Sequence, residues 1–91
     1  MYVVYLIQHL ETREIYVGKT SKLERCLSEH NSGSQKATHR KNNDGKWVLV
    51  YAEAYRNSQD ANEREFKLKQ RGTAKQGLKR RIKRSLLEIK K

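Results

Sequence analysis

YVVYLIQHLETREIYVG, residues 2–18, is the stretch that decides the fold. Residues 2–7 and 14–18 are β-branched and aromatic runs, and the polar residues 11–13 between them suit the turn of a hairpin. Ser21 followed three residues later by Glu24 is a capping-box signature. Leu23, Leu27 and His30 then fall on one helical face, and Gly33 provides a stop. Two strands and a helix of about three turns therefore open the chain.

Working outward, residues 34–46 (SQKATHRKNNDGK) lack any apolar period and read as a loop, the kind of segment that often carries function in a small domain. Residues 47–55 (WVLVYAEAY) are the most strand-like run in the chain and are expected at the centre of the sheet. Asn57 or Ser58 can cap a helix that reaches about Gln70 and is ended by Gly72. Thr73 and Gln76 form a second capping pair, leading into a basic C-terminal helix over about residues 74–90. Its apolar positions are Leu78, Ile82, Leu86 and Ile89, and Gly77 weakens it by up to about 1 kcal/mol. The expected fold is α+β, in the order β-β-α-β-α-α, with a three-stranded, mainly antiparallel sheet flanked by helices and one domain over residues 1–91.

Composition narrows the function classes. Ninety-one residues, 35% of them hydrophobic, supply one modest core. One cysteine, Cys26, can form no internal disulfide, and no Cys/His spacing resembles a zinc site. There is no apolar run of membrane-spanning length and no secretory signal pattern at the start, so a cytoplasmic location is expected. The formal charge is +11, and from Phe66 onward eleven residues are basic while only Glu88 is acidic. Such a surface attracts polyanions by releasing their counterions, which makes nucleic acid the leading partner, with a ribosome-associated basic domain as the alternative.

One acid stands out. Ala61, Glu65 and Leu68 are spaced four and three apart, so Glu65 projects from the stripe that packs inward. A charge placed there is costly unless it pairs with a neighbouring cation at the edge of the stripe or binds a metal. Of the three histidines, His9 and His39 are read as solvated, and His30 as a helix-face residue that either packs or takes part in chemistry.

The triplets VVY (residues 3–5) and YVG (residues 16–18), eleven residues apart from tyrosine to tyrosine, resemble the GIY-YIG nucleases. The resemblance continues through KTSKLERCLSEHNSG, WVLVYAEAY and ANEREFKLK, and is nearest to the small stand-alone bacterial members. It implies that Tyr5 and Tyr16 are the active-site tyrosines, that Gly18 keeps a side chain from crowding the substrate backbone, and that Glu65 binds a single Mg2+ or Mn2+ ion. His30 matches a histidine of related enzymes. The helix arginine of the family falls on Cys26, with Arg25 immediately before it.

The chemistry implied is hydrolysis of a DNA phosphodiester around one cation held by Glu65. Tyr16 deprotonates the water, directly or through His30, and Tyr5 positions the water or the phosphate. A thiol cannot replace a guanidinium on the scissile phosphate, so the charge must come from Arg25, Lys19 or Arg40, or else the activity is weakened. Candidate phosphate contacts are Lys19, Lys36, Arg40, Lys41, Lys67, Lys69 and Arg71, with Lys75, Arg80, Arg81 and Lys83 beyond them. No base-reading motif is present, so binding to duplex or branched DNA is expected to be directed by structure or weakly by sequence. The competing reading is an inactive DNA- or RNA-binding module on the same fold.

Overall fold

The computed structural model describes residues 1–32, 46–70 and 72–87. Strands β1 (Tyr2–His9) and β2 (Ile15–Thr20) are followed by helix α1 (Leu23–Ser32), strand β3 (Trp47–Tyr55), and helices α2 (Ser58–Lys69) and α3 (Thr73–Arg81). The α+β class and the order β-β-α-β-α-α are as the sequence predicts.

The sheet runs β2-β1-β3, with β1 antiparallel to both neighbours. The central strand is therefore β1, whereas the sequence places residues 47–55 there. Every residue from Val4 to His9 is buried, the signature of a strand covered on both faces and flanked on both edges. β3 exposes Leu49, Ala52 and Ala54 in its course and takes an edge. Between Leu6 and Ile7 the register slips, since Leu6 pairs with Tyr51 but Ile7 with Leu49, which leaves Val50 as a bulge.

Alternation along β1 sends neighbouring side chains to opposite faces. Val4 and Leu6 join Val17, Ala61, Leu68 and Leu78 in an aliphatic core on the α2 and α3 side. Tyr5 and Ile7 join Cys26 and Trp47 on the α1 side. Helix α1 thus packs on one face of the sheet and α2 with α3 on the other.

The ends of the elements refine the sequence reading. At the entrance to α1 the hydroxyl of Thr20 accepts the Lys22 N–H at 3.0 Å. Asn57 caps α2 as expected, its side chain accepting the Gln59 N–H at 2.8 Å. Helix α3 stops at Arg81, well short of residue 90, and Ile82 leaves helical geometry. Lys79 with Lys83 and Arg80 with Arg84 would place like charges one turn apart, which opposes continuation. The chain turns instead, and the Leu87 N–H is accepted by the buried side chain of Gln8 at 2.8 Å. Ile89 lies outside the described residues.

His9 is fully buried, contrary to the solvated position expected for it. Its Nδ1 accepts the backbone N–H groups of Glu11 and Thr12 at 3.2 and 3.1 Å, and its ring meets Trp47 edge-on at 5.2 Å. It organises the β1–β2 turn, in which Arg13 adopts a left-handed φ of 65°. His39 lies outside the described residues.

Candidate active site

Tyr5 sits on the strand that is covered on both faces and is only 2% exposed. Its register partner on β2 is Gly18, and the phenol lies across that glycine. A Cβ at position 18 would stand 2.4 Å from the Tyr5 hydroxyl oxygen and 2.5 Å from Cζ. The glycine is therefore required by Tyr5, a more local reason than the crowding of substrate inferred from the sequence.

Helix α1 supplies the other wall. Cys26 and His30 are one turn apart, so both face β1. The Tyr5 hydroxyl lies 2.9 Å from Cys26 Sγ and 2.8 Å from His30 Nε2. Burial, followed by the contact with Cys26 and the charges of Tyr16 and Glu65, pushes Tyr5 far above the ordinary tyrosine range. Its phenol stays protonated. Burial also lowers His30 below the usual histidine value, against a smaller opposing effect of Glu29, so the imidazole is held neutral at neutral pH.

Tyr16 pairs with Ile7 across the hairpin and faces the same side as Tyr5. Its ring lies 5.0 Å from that of His30 at 59°, and it is only half-buried. The sealed Tyr5 and the more open Tyr16 thus share one imidazole between them, Tyr5 by a hydrogen bond and Tyr16 by ring contact.

Glu65 reaches the same place from α2. Its side chain is 23% exposed, and one oxygen lies 3.2 Å from Lys69 Nζ, one helical turn on. The same ammonium stands 5.8 Å from the centre of the Tyr16 ring. Lys69 therefore touches both the carboxylate and the open phenol. Asn62, one turn before Glu65 on that flank of α2, takes a hydrogen bond from Lys19 on β2. The sequence reading missed Asn62, although its spacing of three and seven from Glu65 and Lys69 puts it on their stripe.

Arg25 does not join this group. Its side chain is 73% exposed and paired with Glu29 at 3.0 Å. Beside Cys26 is a hollow of about 170 Å3 lined also by Thr20, Ser21, Lys22, Arg25 and Glu29. Lys67, two residues from Glu65, points from a different side of α2 and is exposed. Lys36, Arg40, Lys41 and Arg71 lie outside the described residues.

Among the described residues no three His, Cys, Asp or Glu side chains cluster as a metal cage. Lys69 takes one oxygen of the partly exposed Glu65 carboxylate, and the other can hold a hard cation that keeps most of its ligands as water and phosphate oxygen. The residues present fit that kind of site.

A family model for the GIY-YIG catalytic domain matches residues 1–79 of the 91. The matched span takes in all three strands, α1, α2 and most of α3. No curated protein and no solved structure matches the chain.

Proposed function

Because the chain belongs to the GIY-YIG catalytic domain family, a family of endonucleases, we propose that it hydrolyses phosphodiester bonds in DNA at the Tyr16–Glu65–Lys69 cluster. The observation that carries this is the position of Lys69, one ammonium touching a carboxylate and a phenol that are 49 residues apart in the chain. No described helix is long and apolar enough to cross a membrane.

Tyr16 is the working phenol in this reading. It is the more accessible of the two tyrosines and lies against His30, a neutral imidazole able to accept a proton. In the reaction the oxygen of water bonds to phosphorus and the bond from phosphorus to the leaving oxygen breaks; Tyr16 takes the proton lost by water as it passes its own phenolic proton to His30, and solvent water protonates the leaving oxygen. Tyr5 does not touch the water or the phosphate. It is a positioning residue, a protonated phenol that fixes the His30 ring through its 2.8 Å hydrogen bond. Glu65 would hold Mg2+ or Mn2+, which when bound supplies charge stabilisation at the phosphoryl oxygens. Lys69 adds a second positive group beside them. Among the described residues of the site none is arranged to read a base edge, which supports selection by DNA structure, duplex or branched, over sequence.

One observation favours a second reading, a binding module that no longer cuts. Cys26 occupies the helix position where the family has arginine, and it spends its thiol on Tyr5. The test is a Mg2+-dependent nicking assay on plasmid, duplex and flapped DNA. Glu65→Ala and Tyr16→Phe are each expected to lower the rate by about 100-fold or more. Cleavage unchanged in Glu65→Ala would end the nuclease reading. If only Cys26→Arg cuts, the native chain is the binding module; in a native enzyme the same change gives a gain of no more than about 100- to 1000-fold.

A further inference from the structure

A cleft of about 390 Å3 opens in the turn between α2 and α3, lined by Lys69, Gln70, Gly72, Lys75, Gln76 and Lys79. Three of the six lining residues are lysines, and none is acidic. Lys69 forms one end, and it is the residue that touches Tyr16 and Glu65. Lys75 and Lys79 are one turn apart and project from the same side of α3. They also wall a neighbouring hollow of about 320 Å3, where Arg13 is offset by Glu14, and Ile15, Leu86 and Leu87 are apolar, so the basic lining without an acid is confined to the cleft.

We infer that this cleft carries the continuing sugar–phosphate backbone of the strand that is cut, with Lys75 and Lys79 on phosphates flanking the one at Lys69. The inference rests on the nuclease reading above and adds the path of the strand. A strand whose phosphate lies between Tyr16 and Glu65 must leave that point in some direction, and the cleft begins there. Its cations match a polyanion, and the amides of Gln70 and Gln76 can donate to phosphate oxygens. An apolar segment would find little to bury against these side chains. The contacts carry no sequence information, as expected of a site that follows a backbone.

The experiment measures affinity for a labelled flapped duplex across a range of salt, without divalent cation. The native chain is compared with Lys75→Gln/Lys79→Gln and with Arg56→Gln/Arg84→Gln, which removes the same charge from exposed positions outside the cleft. Thermal melting confirms that each protein is folded. For the cleft pair the slope of log K against log salt is expected to fall by about 0.9 for each lysine removed, close to two in all, and for the control pair by much less. Equal shifts in the two pairs, or a cleft pair identical to the native chain, overturn the cleft while leaving the nuclease reading in place. Native protein that shows no salt-dependent binding to DNA removes both.

Discussion

On the α2 and α3 side of the sheet the buried side chains are, apart from Gln8, aliphatic: Val4, Leu6, Val17, Ala61, Leu68 and Leu78. On the α1 side they include Tyr5, Cys26, His30 and His9, packed with Ile7 and Trp47. The same strand feeds both, so Tyr5 and Leu6 are neighbours in sequence with opposite duties. Leu6 contributes by leaving water, and any aliphatic group of its size and shape would serve. Tyr5 is buried with a hydroxyl that must find partners, and its place depends on a glycine opposite, a thiol and an imidazole. One face tolerates changes of identity that keep volume, and the other tolerates neither.

The largest expected effect breaks the first face alone. Leu68→Ala removes a fully buried side chain between α2 and the sheet and is expected to cost about 2–5 kcal/mol in urea unfolding. The Tyr5–His30 contact should stay as in the native chain, because Leu68 lies on the far side of β1 from Tyr5, whereas cleavage should fall as α2, which carries Glu65 and Lys69, loosens. A His30 ring signal displaced in fully folded Leu68→Ala protein would show that the two faces are not separable.

A smaller effect sharpens the second face. Gly18→Ala puts a methyl group where the Tyr5 phenol lies, and is expected to cost about 1–3 kcal/mol and to displace Tyr5 from His30. Tyr5→Phe should not relieve it, since Cζ is as close as the hydroxyl oxygen. Tyr5→Ala should, so that the double variant is more stable than the two single losses predict by at least about 0.5 kcal/mol. Strict additivity in that cycle would remove the glycine–phenol contact from the account.

How much of this was legible in the sequence follows from the same division. The aliphatic face is periodic, so element order, the hairpin, the Asn57 cap and the inward stripe of Ala61, Glu65 and Leu68 could be read directly. The centre of the sheet could not, because β1 and β3 are both rich in β-branched and aromatic residues. Only the partners of a strand decide which is flanked on both sides. The stop of α3 at Arg81 was hidden for a similar reason. Leu86 keeps helical spacing, but Gln8, 79 residues away, offers its amide to the Leu87 backbone. Asn31 does the same for the start of β3, pairing with both the N–H and the carbonyl of Trp47. His9 belongs to this class, a polar residue that looks solvated until its turn is built around it. Of the site, the two tyrosines, His30 and Glu65 came from a motif and one helical stripe. The sealing of Tyr5 and the bridge through Lys69 needed three dimensions.

The smallest expected effect compares the faces by pH. Burial lowers His30 on the α1 side, so below about 6.5 the unfolded chain takes up a proton there more readily than the folded one. The stability tied to the neutral ring is complete above 6.5 and erodes as pH falls through the folded value. On the other side, burial would raise Glu53, but hydrogen bonds from Tyr51, Arg64 and Tyr55 outweigh it and hold the carboxyl below its ordinary 4.5. Its contribution is present above 4.5 and is lost as pH falls further. Descending in pH, the site face therefore loosens first and the α2 contact second. Urea unfolding from pH 8 to pH 3 should show His30→Asn flattening the upper part of the curve alone, and Glu53→Gln the lower part alone. If His30→Asn leaves the upper part unchanged, burial does not lower the imidazole, and the difference between the two faces in their response to acid is gone.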